Sequence, residues 1–307
     1  MRIIKETNID FIGKTFLAGC LSITILLVGL ASLVLNGGPK LSIDFKGGTL
    51  VAVNFTKPID INKIRTGLEN IKIDGQNFNF SKEEIKHFGD ESNIAIRLSS
   101  FENEPERFSN KVAQKLGDIY PDLMPDNKND FILSIEKVGP KVGAELSSKA
   151  ILAILTALGF ILIYVSIRFE FKYAVGAIAA LAHDVFITLG IFSILNYEIS
   201  LAVIAAFLTI VGYSLNDTIV IFDRVRENVK VQKNSTINSI INQSINESLS
   251  RTIVTSITTF LVVLILYLFG GEVIHTFSFA MIVGVIVGTY SSIFVASPVV
   301  IKMDKQD

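Results

Sequence analysis

Residues Ile199–Phe222 read ISLAVIAAFLTIVGYSLNDTIVIF, 24 residues with one charged side chain, Asp217. A helix rising 1.5 Å per residue needs about 20 apolar residues to cross the hydrocarbon of a bilayer, so this run is long enough to span one. A carboxylate at such depth costs at least ~2.5–3.5 kcal/mol, which makes Asp217 the residue to explain.

Five further windows have the same character: Phe16–Leu35, Ala150–Ile167, Tyr173–Leu195, Thr252–Phe269 and Thr276–Val300. The 307-residue chain is half apolar and only 19% charged, against the usual ~25% of soluble domains, with a mean hydropathy of +0.51. Charges concentrate between Asn36 and Ser147, which hold 15 of the 28 Lys and Arg and 17 of the 29 Asp and Glu. The expected fold class is therefore an all-α six-helix transmembrane bundle with one inserted soluble domain, residues 36–147. The first window is too long for a signal-peptide core and lacks an A-x-A site, so it reads as an uncleaved anchor.

Lys and Arg in the short loops set the orientation. Arg2, Lys5 and Lys14 precede the first span, and Arg168 and Lys172 follow the second. Arg224, Arg226, Lys230, Lys233 and Arg251 follow the fourth, and Lys302 and Lys305 close the chain. The loops Asn196–Glu198 and Gly270–His275 carry neither. Residues 1–15, 223–251 and 301–307 are expected in the cytoplasm and 36–147 outside it.

In the outside segment, Gly48–Phe55, Gln76–Phe88, Asn93–Leu98 and Phe131–Val138 read as strands. Asp60–Asn70 and Pro105–Tyr120 read as helices, the second with Phe108, Val112, Leu116 and Ile119 on one face. The order β-α-β-β-α-β is that of a ferredoxin-like unit. Ser235–Ser250 places Ile237, Ile240, Ile241, Ile245 and Leu249 at helical spacing, which suggests an amphipathic helix along the cytoplasmic interface.

Net charge −1 gives no reason to expect nucleic acid as a partner. A single cysteine, Cys20, excludes an intrachain disulfide and a CxxC site. The chain contains no Walker motif, nucleophile elbow or HExxH, and Gly47-Gly48 lacks the Lys-Ser/Thr ending of a phosphate loop. No enzymatic chemistry, cofactor or metal is expected.

The ionisable groups inside the spans remain. Asp217 lies six residues before Asp223, about 9 Å along a helix, with Asn216 and Ser214 as nearby polar groups. It reads either as a carboxyl that gains and loses a proton or as one half of an anchoring salt bridge. Arg251 is either its charge partner or an arginine reaching for lipid headgroups. His183 and Asp184 are either a buried hydrogen-bonded pair or a proton relay. Gly284 and Gly288 form a GxxxG face for close helix contact, internal or with a partner.

The runs Asp44-Phe-Lys-Gly-Gly-Thr49, Val138-Gly-Pro-Lys-Val-Gly143 and Ala182-His-Asp184 resemble the SecF side of the SecD/SecF family. So do Val211-Gly-Tyr-Ser-Leu-Asn-Asp-Thr218, Phe222-Asp-Arg-Val-Arg-Glu-Asn228 and Ser248-Leu-Ser-Arg-Thr252. The resemblance implies an RND-like, multi-pass protein of the bacterial inner membrane. It implies SecD, the SecYEG channel, membrane lipids and the translocating unfolded polypeptide as partners. The implied activity is use of the proton motive force to promote translocation after the SecA-driven step. By this resemblance Asp217 would be the proton carrier and Arg251 its functional partner; the polar residues inside the spans, Asn216, Ser214, His183 and Asp184, are read from their position as supporting groups. The competing readings are an RND-like proton-coupled half-transporter for a small molecule or lipid, and a passive scaffold.

Overall fold

The computed structural model describes residues 7–100, 104–105 and 107–304, without the side chains of residues 272 and 273. Arg2, Lys5 and Lys305, used above, lie outside the described residues, as does residue 106 of the segment Pro105–Tyr120. The chain forms two compact units, one of residues up to Lys40 and from Ala150 onward, the other Leu41–Lys149.

Helix α1 (Thr15–Leu35) leads into the Leu41–Lys149 unit, which starts with the single turn α2 (Ile43–Lys46). Then follow β1 (Gly48–Asn54), α3 (Ile61–Gly67), β2 (Ile71–Ile73), β3 (Gln76–Phe78), β4 (Glu84–Phe88) and β5 (Asp90–Leu98). Helix α4 (Phe108–Ile119) and β6 (Ile132–Val138) complete it. The main sheet has the order β4-β5-β1-β6 with every neighbour antiparallel, which is the ferredoxin-like arrangement. Val51 and Val53 of β1 and Ile94 and Ile96 of β5 are fully buried with Ile64, Leu68, Val112 and Leu116. Asp60 caps α3, its Oδ1 accepting from the Asn62 amide at 2.8 Å.

Two expectations for this unit are corrected. The single strand over Gln76–Phe88 is two, because Asp74-Gly75 closes a separate β2–β3 hairpin. Its two positive φ angles, 52° and 84°, are those of a primed two-residue turn. Ile119 is exposed, since the chain leaves α4 there and Tyr120-Pro121 starts a new turn. The Gly47 turn and the Val138–Gly143 run meet: a Cβ on Gly143 would lie 2.8 Å from the Phe45 carbonyl oxygen.

Helix α5 (Pro140–Arg168) begins at its proline, where a missing N–H is no loss. It is followed by α6 (Phe171–Ile194), α7 (Leu201–Val231), α8 (Ile237–Phe269) and α9 (Glu272–Ser291). Helix α9 runs through a π-helical turn, Ser292–Ala296, into α10 (Ser297–Asp304). Among the described residues, six helices are long and apolar enough to cross a membrane. Helices α6, α7 and α9 supply most of the buried side chains of this unit, while α1, α5 and the second half of α8 expose rows of Leu, Ile, Val and Phe.

The amphipathic segment expected to lie along an interface is instead the first half of α8. Nothing between Ser250 and Thr252 breaks the helix, so one 33-residue rod carries both. Its isoleucines, Ile240, Ile241 and Ile245, pack with Phe11, Val225 and Ile301. On the same helix Asn242 Oδ1 accepts from the Phe11 amide at 2.8 Å, and Asn246 Oδ1 accepts from that of Ile9 at 2.8 Å. These bonds hold the segment before α1 against α8.

In a bilayer, helices gain little from hydrophobic contact with each other, so close packing through small residues matters more. Helix α1 crosses α6 at Gly29 and Gly190, where a Cβ on either would sit 2.8 Å from the other's Cα. Gly284 and Gly288 lie against Ile210 and Ser214 of α7, so the GxxxG face is internal packing. Gly190→Leu is predicted to destabilise the membrane unit by about 1–3 kcal/mol through overpacking, read as a lower thermal midpoint in detergent. Gly159→Leu, on a face of α5 with nothing within 4 Å, is predicted to leave it unchanged.

Candidate functional site

Helix α6 brings His183 and Asp184 into the centre of the bundle, where Asp184 is fully buried. Neighbours on a helix point about 100° apart, yet both side chains bend together, with Nδ1 and Oδ1 3.0 Å apart. The second carboxylate oxygen of Asp184 accepts from Ser214 of α7 at 2.6 Å and from Ser291 of α9 at 2.8 Å. His183 Nε2 is 3.0 Å from Ser22 Oγ of α1, which is 2.9 Å from the Tyr290 hydroxyl. Tyr290 donates to the Ala18 carbonyl at 2.6 Å. One hydrogen-bonded chain thus links four spans, α1, α6, α7 and α9.

Asp217 lies one turn beyond Ser214 on α7 and is also buried. Its surroundings differ. Ser256, Thr255 and Arg251 of α8 are the polar groups around its carboxyl, and its Oδ2 has no hydrogen-bond partner. Ser256 is itself bonded to Thr289 of α9 at 2.7 Å. Arg251 is exposed and acts on Asp217 as a nearby charge rather than through a hydrogen-bonded pair. Asp223, further toward the C-terminal end of α7, pairs with Arg168 at 3.0 Å.

Of the nearby groups expected for Asp217, Ser214 belongs to Asp184, because three residues back on a helix its hydroxyl reaches toward α6. Asn216 is exposed, one helical step away from the buried face. The residues that sequence reasoning missed are Ser22, Ser256, Thr289, Tyr290 and Ser291. The run Thr289-Tyr-Ser-Ser292 in an otherwise apolar span was the available signal: four consecutive hydroxyls there need partners. Among the described residues, no three His, Cys, Asp or Glu side chains group as a metal site would require.

The family model of the protein export membrane protein SecD/SecF, C-terminal, matches residues 122–306, a region that holds Asp184, Ser214, Asp217, Arg251 and Ser291. The protein translocase subunit SecF of Calditerrivibrio nitroreducens is 47% identical over 305 residues, covering 98% of this chain and 96% of its own. The chain belongs to the SecF family. The SecF of Escherichia coli O157:H7 is 40% identical over 281 residues, 90% of this chain and 83% of that one. A crystal structure of SecDF from Thermus thermophilus, described as a translocon-associated membrane protein, superposes with a TM-score of 0.83 at 34% identity. It matches 98% of this chain, which spans only 39% of the SecDF chain. A SecF chain is a protein-export translocase subunit, a multi-pass membrane component of transport.

Removing a donor from a buried carboxylate leaves an oxygen without compensation. Ser214→Ala and Ser291→Ala are each predicted to destabilise the bundle by about 0.5–2 kcal/mol, measured by thermal unfolding in detergent. Because both serve one oxygen, the double variant is predicted to depart from additivity.

Proposed function

We propose that this SecF chain works beside SecD to couple the proton motive force to polypeptide movement through SecYEG, after the SecA-driven step. Asp217 carries the proton and Arg251 is its charge partner. The single observation behind this reading is that Asp217 is buried in a bilayer-spanning helix while one of its oxygens lacks a hydrogen bond. A carboxylate held only to fix packing would have its donors supplied, as those of Asp184 are.

In this reading, protonating Asp217 removes its charge and its attraction to Arg251, so α7 and α8 can shift; deprotonation restores the attraction. One charge crossing the membrane yields ~2.3 kcal/mol per 100 mV, enough to bias an equilibrium between two conformations. In this reading the chain sits in the bacterial inner membrane, as a SecF subunit would, with both termini in the cytoplasm, an orientation that its Lys and Arg distribution supports. The Leu41–Lys149 unit then lies outside and contacts the emerging chain. A groove on that unit is lined by Lys72, Lys111 and Lys115 with Asp74, Asp118 and Asp126, a charge mixture suited to transient polypeptide contact. A half-transporter for a lipid would need an apolar pocket there. The exposed apolar faces of α1, α5 and α8 suit lipid and docking of SecD.

The test is protein export into inverted vesicles containing this chain and SecD, with and without a proton gradient, at matched insertion. Asp217→Asn is predicted to abolish the gradient-dependent part of export and leave the rest. Export by Asp217→Asn equal to wild type would assign the chain a scaffold role.

A further inference from the structure

The chain of bonds around Asp184 fixes where its hydrogens lie, because a carbonyl oxygen can only accept. The Tyr290 hydroxyl has one hydrogen, and it goes to the Ala18 carbonyl. The 2.9 Å contact between Tyr290 and Ser22 must then use the Ser22 hydrogen. With that hydrogen committed, Ser22 can only accept from His183, so His183 Nε2 carries a hydrogen. At the other end Ser214 supplies its hydrogen to Asp184 Oδ2, and Ser291 shares its single hydrogen between Asp184 Oδ2 at 2.8 Å and the Gly288 carbonyl at 3.1 Å.

The remaining contact is His183 Nδ1 to Asp184 Oδ1, at 3.0 Å. If His183 were neutral with its hydrogen on Nε2 and Asp184 were ionised, two lone pairs would face each other there. One more proton is required, either on the imidazole or on the carboxyl. Both placements leave the pair without net charge, which a fully buried location favours. The alternative tautomer, with hydrogen on Nδ1 only, would leave a net negative pair and strand the Ser22–Tyr290 contact without a hydrogen.

We propose that His183 and Asp184 form a second proton-carrying site of the membrane bundle, holding one proton between Nδ1 and Oδ1 that is exchanged during transport. The exchange rests on the proton-driven reading above; the occupancy does not. The groups facing the pair are Ser22 of α1, Ser214 of α7, and Tyr290 and Ser291 of α9, of which Tyr290 alone can titrate. Asp217 is the next carboxyl, one turn along α7 from Ser214. Among the described residues no Lys, Arg or Glu pairs with His183 or Asp184. Helix α9 enters its π-helical turn at Ser292, directly after Ser291, a local geometry often found at functional positions.

Asp184→Asn separates packing from proton exchange. The asparagine oxygen can accept from Ser214 and Ser291 while its amide donates to His183 Nδ1, so every bond is kept and the exchangeable proton is lost. In inverted vesicles with SecD, Asp184→Asn is expected to lose gradient-dependent export while inserting and unfolding like wild type. Wild-type export by this variant overturns the exchange. If Asp217→Asn loses gradient dependence in the same vesicles and Asp184→Asn keeps it, only the second site falls; if both keep it, the proton-driven reading falls too. Should Asp184→Asn fail to insert, 15N spectra of the wild-type chain in bilayers decide, with His183 identified by its loss in His183→Asn. A protonated Nε2 is expected, and a bare Nε2 overturns the assignment.

Discussion

An ionised carboxyl in hydrocarbon must be given hydrogen bonds or a counter-charge, and the membrane unit is organised by how it treats two of them. Asp184 receives donors from two other helices and lies 3.0 Å from His183 Nδ1 through its other oxygen. That arrangement draws α1, α6, α7 and α9 to one point, and close crossings at Gly29–Gly190 and Gly288–Ser214 make the approach sterically feasible. Asp217, one turn away on α7, keeps an oxygen without a partner. The contrast between Asp184 on α6, whose Oδ2 accepts two hydrogen bonds, and Asp217 on α7, whose Oδ2 accepts none, carries the functional reading.

Helix α7 connects the two. Ser214 faces α6 and α9, and Asp217 faces α8, so a rotation of α7 alters both sets of contacts at once. Helix α9 is their common neighbour through Ser291 on one side and Thr289 on the other, the latter bonded to Ser256. In the proposed cycle a protonation change at Asp217 would therefore be felt at Asp184 through two helices rather than through solvent.

The spans were readable because a run of 18 or more apolar residues has few other solutions, and the strands because β1, β5 and β6 alternate or carry β-branched residues. The Asp74-Gly75 hairpin was also written in the sequence, in turn chemistry that a strand-length reading passed over. Other features could not be read locally. The fate of Ser235–Ser250 depends on α8 continuing past Arg251, which is a question of what Ile240 and Ile245 pack against. The polar network was hidden for a similar reason. Ser214 and the Thr289–Ser292 run signalled a need for partners without naming them, and only the crossing of four helices joins Ser22, Ser214, Tyr290 and Ser291 to one dyad. Asp217 stood out in the sequence with Arg251 as a candidate partner, but the hydroxyls of Ser256 and Thr255 beside it did not.

Infrared difference spectroscopy on the bilayer-embedded chain with SecD, stepped from high to low pH, observes the carboxyl at Asp217 directly. A protonated-carboxyl stretch that appears as the pH falls and is missing in Asp217→Asn is predicted. The same spectrum in wild type and Asp217→Asn across the whole pH range would contradict a proton cycle at this residue.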